Sequence, residues 1–364
     1  MMSIFSKVDD FNLKLKRIRE LFKKYKINGM LISSQANFTW LTGGRSFISL
    51  ASEKACAFVF VTVDSSFLLV NSIERPRMLD EELTDLPLVI KEYPWYEEAK
   101  RDEIIKTIVN NEVYGIDCDY ANDFFELRSV MTQSELARYR RLGFDTAVAL
   151  EETCLNLKKG MSEYLAAGIL SRRLWEIGIE PVTILAGFDD RALNYRHPVP
   201  TANALQKYAM LVVCARKYGL IVSCTRLIHF GKPEEEVLNK LKHVSEIDAY
   251  LIANTRPGVL IKDLFKGITE MYEKSGFPEE WKKHHQGGLT GYYSREFRAS
   301  ANCDHTVIKD QVYAWNPSIQ GVKSEDTILV GAERNEIITN TGNFEYVDVV
   351  FNGETIIRPS ILII

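Results

Sequence analysis

A long apolar stretch from Tyr208 to Gly231, YAMLVVCARKYGLIVSCTRLIHFG, predicts two paired strands, Ala209 to Ala215 and Gly219 to Ile228. Gly219 closes the basic turn between them, since glycine enters left-handed backbone without steric penalty. Earlier in the chain, apolar residues at helical spacing (Phe11, Leu13, Leu15, Ile18, Leu21, Phe22) predict a helix over Asp9 to Tyr25. Gly29 follows, then strands at Met30 to Ser33, Ala55 to Thr62 and Ser66 to Asn71, the last two too apolar to lie on the surface. Tyr96 to Asn110 reads as a helix, Val113 to Asp117 as a strand, and Gly43 and Gly44 as a turn after a strand. Together these describe a small α/β domain with a mixed sheet, spanning residues 1–127.

The remainder, residues 128–364, contains an internal near-repeat. LKKGMSEYLAAGILSRRLWEIGIEP and TRPGVLIKDLFKGITEMYEKSGFPE share an opening glycine (Gly160, Gly258), an amphipathic helical run and a second glycine at equal distance (Gly178, Gly276). Each is preceded by another helix, Phe144 to Leu157 and Glu234 to Ala253, and followed by strands around a glycine turn, Tyr208 to Ile228 and Gln311 to Val330. Two copies of helix, helix, strand, strand predict an α+β domain with internal pseudo-twofold symmetry and one site between its halves.

Composition removes several function classes. With 364 residues, 46% of them hydrophobic, the chain has enough apolar material for two cores. A formal charge of −4 leaves no basic field for nucleic acid. No apolar run reaches membrane-spanning length, and MMSIFSKVDDF carries acids where a signal peptide has its apolar segment, so a cytoplasmic protein without membrane contact is expected. The six cysteines are scattered, with no CxxC pair, as in reduced proteins. Phosphate loop, GxGxxG, HExxH and GxSxG signatures are absent.

From Arg128 onward the chain resembles the creatinase, aminopeptidase P, prolidase and methionine aminopeptidase family, through NYRHPVPT (Asn194 to Thr201), HHQGG (His284 to Gly288) and GVKSEDTILV (Gly321 to Val330). The first block resembles the family's creatinase-type N-terminal domain, with NFTWLTG (Asn37 to Gly43) as the matching stretch. The resemblance implies a pita-bread fold for the second domain. It also implies two cations held by two aspartates, one histidine and two glutamates, whose shared hydroxide attacks a peptide carbonyl. The aspartate positions fall on Val212 or Val213 and on Ser223, and the first glutamate position on Asn316 in AWNPS. Only His285 and Glu325 match. Because the anionic ligands that neutralise two cations are missing, no catalytic metal and no other cofactor is expected.

Creatinase, within the resemblance, hydrolyses a C–N bond without metal, and His197 aligns with the histidine that serves it as acid and base. A neutral imidazole accepts a proton from water and returns it to a leaving nitrogen. His197 is therefore the first candidate for catalysis, with His285 and Glu325 beside it. Glu325 would hold a substrate nitrogen, or its pair with Asp326 would anchor the sheet. Arg196 and Arg295 would clamp a carboxylate, while Ser223, Asn316 and either Tyr292 or Tyr293 complete the binding surface. Gly287 and Gly288 would admit backbone close to a ligand, or serve a turn. Cys224 is expected to turn away from the face used by Ser223 and to pack as a small apolar residue.

Three functions stay open: a metal-independent hydrolase of a small amide, amidine or related C–N substrate, an Xaa-Pro metallopeptidase, and a binding protein for a small molecule or short peptide. The resemblance further implies a homodimer in which Trp40 and Arg45 approach the partner's cleft.

Overall fold

The computed structural model describes residues 6–364, and the chain divides after Ser134 into two compact units. In the first unit, helix α1 (Lys7–Tyr25) begins at a reciprocal cap: Ser6 Oγ accepts the Asp9 N–H, and the Asp9 carboxylate accepts the Ser6 N–H. Its apolar face, Phe11, Leu15, Ile18, Leu21 and Phe22, is buried, whereas Leu13, expected among them, is exposed on the other side. Strands β1 (Gly29–Ser34), β2 (Lys54–Thr62), β3 (Ser66–Asn71), β4 (Val89–Tyr93) and β5 (Gly115–Ile116) form one mixed sheet in the order β4-β3-β2-β1-β5, and helices α3 (Ala99–Ile108) and α4 (Ala121–Ser129) belong to the same unit.

Three expectations for this unit need correction. Helix α2 (Gln35–Thr42), not a strand, precedes Gly43, which caps it with a φ of 71°. Trp40 is fully buried in that helix and presents nothing to a neighbouring molecule, whereas Arg45 is half exposed and bonded to Glu82. The strand expected to reach Asp117 stops at Ile116. The buried Asp117 carboxylate instead accepts the N–H groups of Ser33 and Ser34 and the Asn37 amide, which draws the chain into a 3₁₀ turn.

The second unit carries the predicted repeat. Helices α5 (Gln133–Leu155) and α6 (Glu163–Glu176) form the first helix pair, and α7 (Glu235–Asn254) and α8 (Ile261–Lys274) the second. All four repeat glycines, 160, 178, 258 and 276, have φ between 67° and 91°, so each ends or reverses a segment where a Cβ would be strained. Even the small bridges correspond: Ser162 pairs with Ala204 in one half and Leu260 with Thr306 in the other.

One sheet has the order β17-β8-β7-β6, from β6 (Glu180–Phe188), β7 (Tyr208–Lys217), β8 (Leu220–His229) and, at the far end of the chain, β17 (Ile361–Ile363). The other is β14-β13-β10-β9, from β9 (Gly287–Thr290), β10 (Val312–Trp315), β13 (Asp326–Leu329) and β14 (Glu336–Ile337). Short strands β11 (Ser318–Ile319) and β12 (Val322–Lys323) pair beside it, and β15 (Tyr346–Phe351) with β16 (Glu354–Pro359) forms a separate hairpin. The sheets meet where the Ser223 N–H donates to Thr327 Oγ1 (2.8 Å) and the Thr225 N–H to the Glu325 carbonyl (3.1 Å). This is the pseudo-twofold α+β architecture read from the repeat.

Beneath that junction lies a buried ionic network. Arg226 donates to Glu151 (3.0 Å), Asp326 (3.1 Å) and the Thr339 carbonyl, and Arg358 bridges Asp326 and Asp248, each at 2.7 Å. Asp326 is thus the structural half of the Glu325-Asp326 pair.

Candidate active site

Antiparallel register decides which strand residues can meet. Val212 pairs with Thr225 and Cys214 with Ser223, so these four side chains share one face, while Val213 and Cys224 share the opposite one. Of the two residues left open for the first aspartate position, Val212 is the one on the Ser223 face. Cys224 turns away as expected, into full burial that pushes its thiol well above the ordinary range. Cys214 lies within 3.2 Å of Ser223 Oγ, and burial raises its thiol too.

Glu325 reaches this face from the second sheet. Its carboxylate is 2% exposed and accepts from Thr225 Oγ1 (2.6 Å), Lys323 Nζ (3.1 Å) and Arg295 Nη2 (3.4 Å). Burial alone would raise the carboxyl's pKa, but Lys323, Arg295 and Thr225 together hold it below the ordinary value. Arg295 Nη1 also lies 3.4 Å from Ser223 Oγ. Asn316 is nearly buried, its N–H donated to the Gln286 carbonyl and its Oδ1 without a partner. Ammonium and guanidinium groups thus surround Glu325, the carboxylate that the resemblance matches to a family ligand position.

Three histidines converge at the mouth. At Gly187, the next-to-last residue of β6, a Cβ would lie 2.6 Å from Pro198, so the loop carrying His197 folds directly onto the strand. Buried Glu163 on α6 fixes that loop, accepting the N–H groups of Phe188 (2.9 Å) and Thr201 (2.8 Å), the Thr201 hydroxyl (2.7 Å) and Arg191 (3.0 Å). His284 and His285 lead into β9, and Gln286, bonded to Tyr272 at 2.8 Å, holds the His284 carbonyl. His284 Nε2 lies 3.0 Å from His197 Nε2, and the His284 and His285 rings stack at 4.4 Å.

All three imidazoles are held neutral. Burial, then Lys323, His285, His197 and Arg196, push His284 down to about 2. Burial with Arg295 and Lys323 takes His285 to about 4, and partial burial and Lys323 lower the largely exposed His197.

Two sequence candidates are placed differently. Tyr292 is buried with its hydroxyl bonded to Glu135 at 2.6 Å, and Tyr293 is partly exposed, its carbonyl accepting from Thr290. Arg196 binds Glu280 rather than standing free opposite Arg295. Gly287 and Gly288 both lie in strand β9 rather than in a turn. A Cβ on either would sit 2.2 Å from a backbone oxygen, of Ala314 and Phe297 respectively, so both permit close packing of β9.

His284 and Lys323 escaped the sequence reading. The signal for Lys323 was its place two residues before Glu325 in an extended segment, which puts both on one face. For His284 the only signal was adjacency to His285, and strand alternation would have turned it away.

The comparisons with known proteins fit this architecture. A model of metallopeptidase family M24 matches residues 137–332, and a creatinase/prolidase N-terminal domain model matches residues 14–165. The chain belongs to metallopeptidase family M24. It is 24% identical over 256 residues to an uncharacterized peptidase of Staphylococcus epidermidis, covering 66% of this chain and 70% of that one. It is 22% identical to an Xaa-Pro dipeptidase of Pyrococcus horikoshii over 92% of this chain and 99% of the relative. The solved prolidase of Pyrococcus horikoshii OT3 matches with a TM-score of 0.76 at 20% identity, over 91% of this chain and 99% of that one, which establishes the shared fold.

The residues here do not fit the two cations that the family implies. Val212, Ser223 and Asn316 supply no anionic ligand, and both Glu325 oxygens are already taken by cationic or hydroxyl donors. A dication pair would also face Lys323 and Arg295 at close range.

Proposed function

We propose that this M24 chain is a prolidase-like hydrolase of short peptides or related small C–N substrates, in which the His197–His284 pair carries the proton transfers that paired cations carry elsewhere. The observation behind this reading is the 3.0 Å contact between two imidazoles kept neutral beside an ionised Glu325. A neutral imidazole at the open mouth accepts a proton from water as the oxygen adds to the carbonyl carbon. Negative charge then develops on the carbonyl oxygen, where Lys323 and Arg295 supply the compensating field. The imidazolium returns the proton to the departing nitrogen as the C–N bond breaks, so the enzyme ends in its starting state. Relatives named as peptidases and as an Xaa-Pro dipeptidase support a short-peptide substrate.

A second reading is metal-assisted Xaa-Pro cleavage, favoured by ligand atoms of His197, His284 and His285 that all lie within 4.8 Å of one another. Neutral imidazoles suit zinc or copper, while the cationic neighbours oppose a dication. The two readings part in one experiment: metal analysis of the purified protein, then turnover of Xaa-Pro and other dipeptides before and after exhaustive chelation. Turnover that survives chelation and falls at least a hundredfold in His197→Ala supports the first. Turnover abolished by chelation and restored by added zinc or manganese establishes the second, and absence of turnover under both conditions refutes both.

A further inference from the structure

Apart from the cleft, the second unit contains a cavity of about 450 Å³, within the range of small-molecule sites. Its walls are the start of β7 at Tyr208, the end of β8 at His229, the first turn of α7, the short helix Asp190–Asn194 and the turn at Gln320 and Gly321. None of His197, His284, His285, Arg295, Lys323 or Glu325 lines it.

One buried side chain faces this space with a nitrogen unused. His229 is 3% exposed, and its Nδ1 lies 2.8 Å from the Gly231 carbonyl. A carbonyl only accepts, so Nδ1 holds the proton and the neutral ring presents Nε2 as an acceptor. Among the described residues Nε2 has no hydrogen bond, and it stands 3.5 Å from the Glu234 carboxylate. Glu234 is largely exposed and pairs with no lysine or arginine among the described residues. Two acceptors thus face each other at the cavity wall, and what suits both is a donor lodged against them.

Charge selects the donor. Four carboxylates (Asp189, Asp190, Glu234, Glu236) and two ammonium groups (Lys207, Lys240) line the cavity, an excess of two negative charges. The N-terminus of α7 returns only about half a positive charge. Water would bridge the two acceptors and leave that excess in place, whereas an ammonium group meets both demands. Leu193, Val237 and Val322 give its carbon chain an apolar wall.

We infer that this cavity binds a small alkylamine, whose ammonium group donates to His229 Nε2 and to the Glu234 carboxylate. The site is independent of the catalytic cleft and of what that cleft cleaves.

The test is calorimetric titration of the intact chain with pentylamine hydrochloride, at about pH 8, where an ordinary imidazole is neutral and an alkylamine charged. The controls are 1-pentanol and sodium chloride. Pentylamine should bind saturably, and neither control should. Glu234→Gln, and His229→Asn, which keeps a donor for Gly231 and removes Nε2, should each weaken pentylamine by about tenfold or more. Glu234→Gln alters an exposed side chain and keeps the test decisive should His229→Asn fail to fold. His197→Ala should bind pentylamine as wild type does. In ¹⁵N spectra the His229 ring should be the Nδ1–H tautomer, its Nε2 resonance moving as the amine binds. Equal binding of pentanol, undiminished binding in Glu234→Gln, loss of binding in His197→Ala, or a His229 ring doubly protonated with and without the amine would overturn the inference.

Discussion

The burial of His284 makes a prediction about acid stability. Its imidazole is held at about 2 in the folded protein, against roughly 6.5 for an unfolded histidine, so the unfolded chain binds a proton on acidification that the folded one refuses. A depressed histidine stabilises the fold above the unfolded pKa, and that contribution is lost as pH falls toward the folded one. Between pH 7 and pH 5 the unfolded imidazole goes from about one-quarter to nearly fully charged, while His284 stays neutral. Integrated over that window, the folded state loses about 2 kcal/mol through this residue alone. His285, held at about 4, acts in the same direction, more weakly because it is partly exposed. Urea denaturation at pH 7 and pH 5 should therefore show a pH-dependent loss that is about 2 kcal/mol smaller in His284→Asn than in wild type. An identical loss in both proteins would refute the assignment of a buried neutral His284.

Two further predictions concern the scaffold. Arg226→Met removes the cation shared by Glu151 and Asp326 in full burial and should destabilise the protein by about 3–5 kcal/mol in urea unfolding, because it leaves buried Glu151 without its cation and Asp326 with that of Arg358 alone. Gly287→Ala should lower the melting temperature and reduce turnover together, since the added Cβ would sit 2.2 Å from the Ala314 carbonyl at a φ of 103° and must displace the strand that follows His285.

The fold was legible where periodicity is strong. The glycine spacing in 160–178 and 258–276 exposed the pseudo-twofold, and the apolar strands around Gly219 formed with nearly the expected limits. Asp117 shows what periodicity omits: Val113 to Asp117 looks like a strand, but a buried carboxylate accepting from Ser33, Ser34 and Asn37 rewrites its end. At the site, the sequence left the first aspartate position open between Val212 and Val213, and only the pairing of the two strands puts Val212 on the face of Ser223. The role of Lys323 depends on where its ammonium reaches, and that of His284 on two segments distant in sequence meeting at 3.0 Å, neither of which a single sequence encodes locally. Tyr292 shows the reverse case, a residue in the right motif whose hydroxyl is engaged by Glu135 on α5.

The buried Glu163 carboxylate has a kinetic implication. By satisfying Phe188, Thr201 and Arg191 without any ligand, it fixes both ends of the segment that carries His197 before an encounter occurs. Capture of a small molecule then involves little loss of backbone freedom on this side of the cleft, and association should be limited by diffusion and entry through the mouth rather than by loop closure. Substitution of this remote acid would appear as slower capture, with the imidazoles themselves untouched.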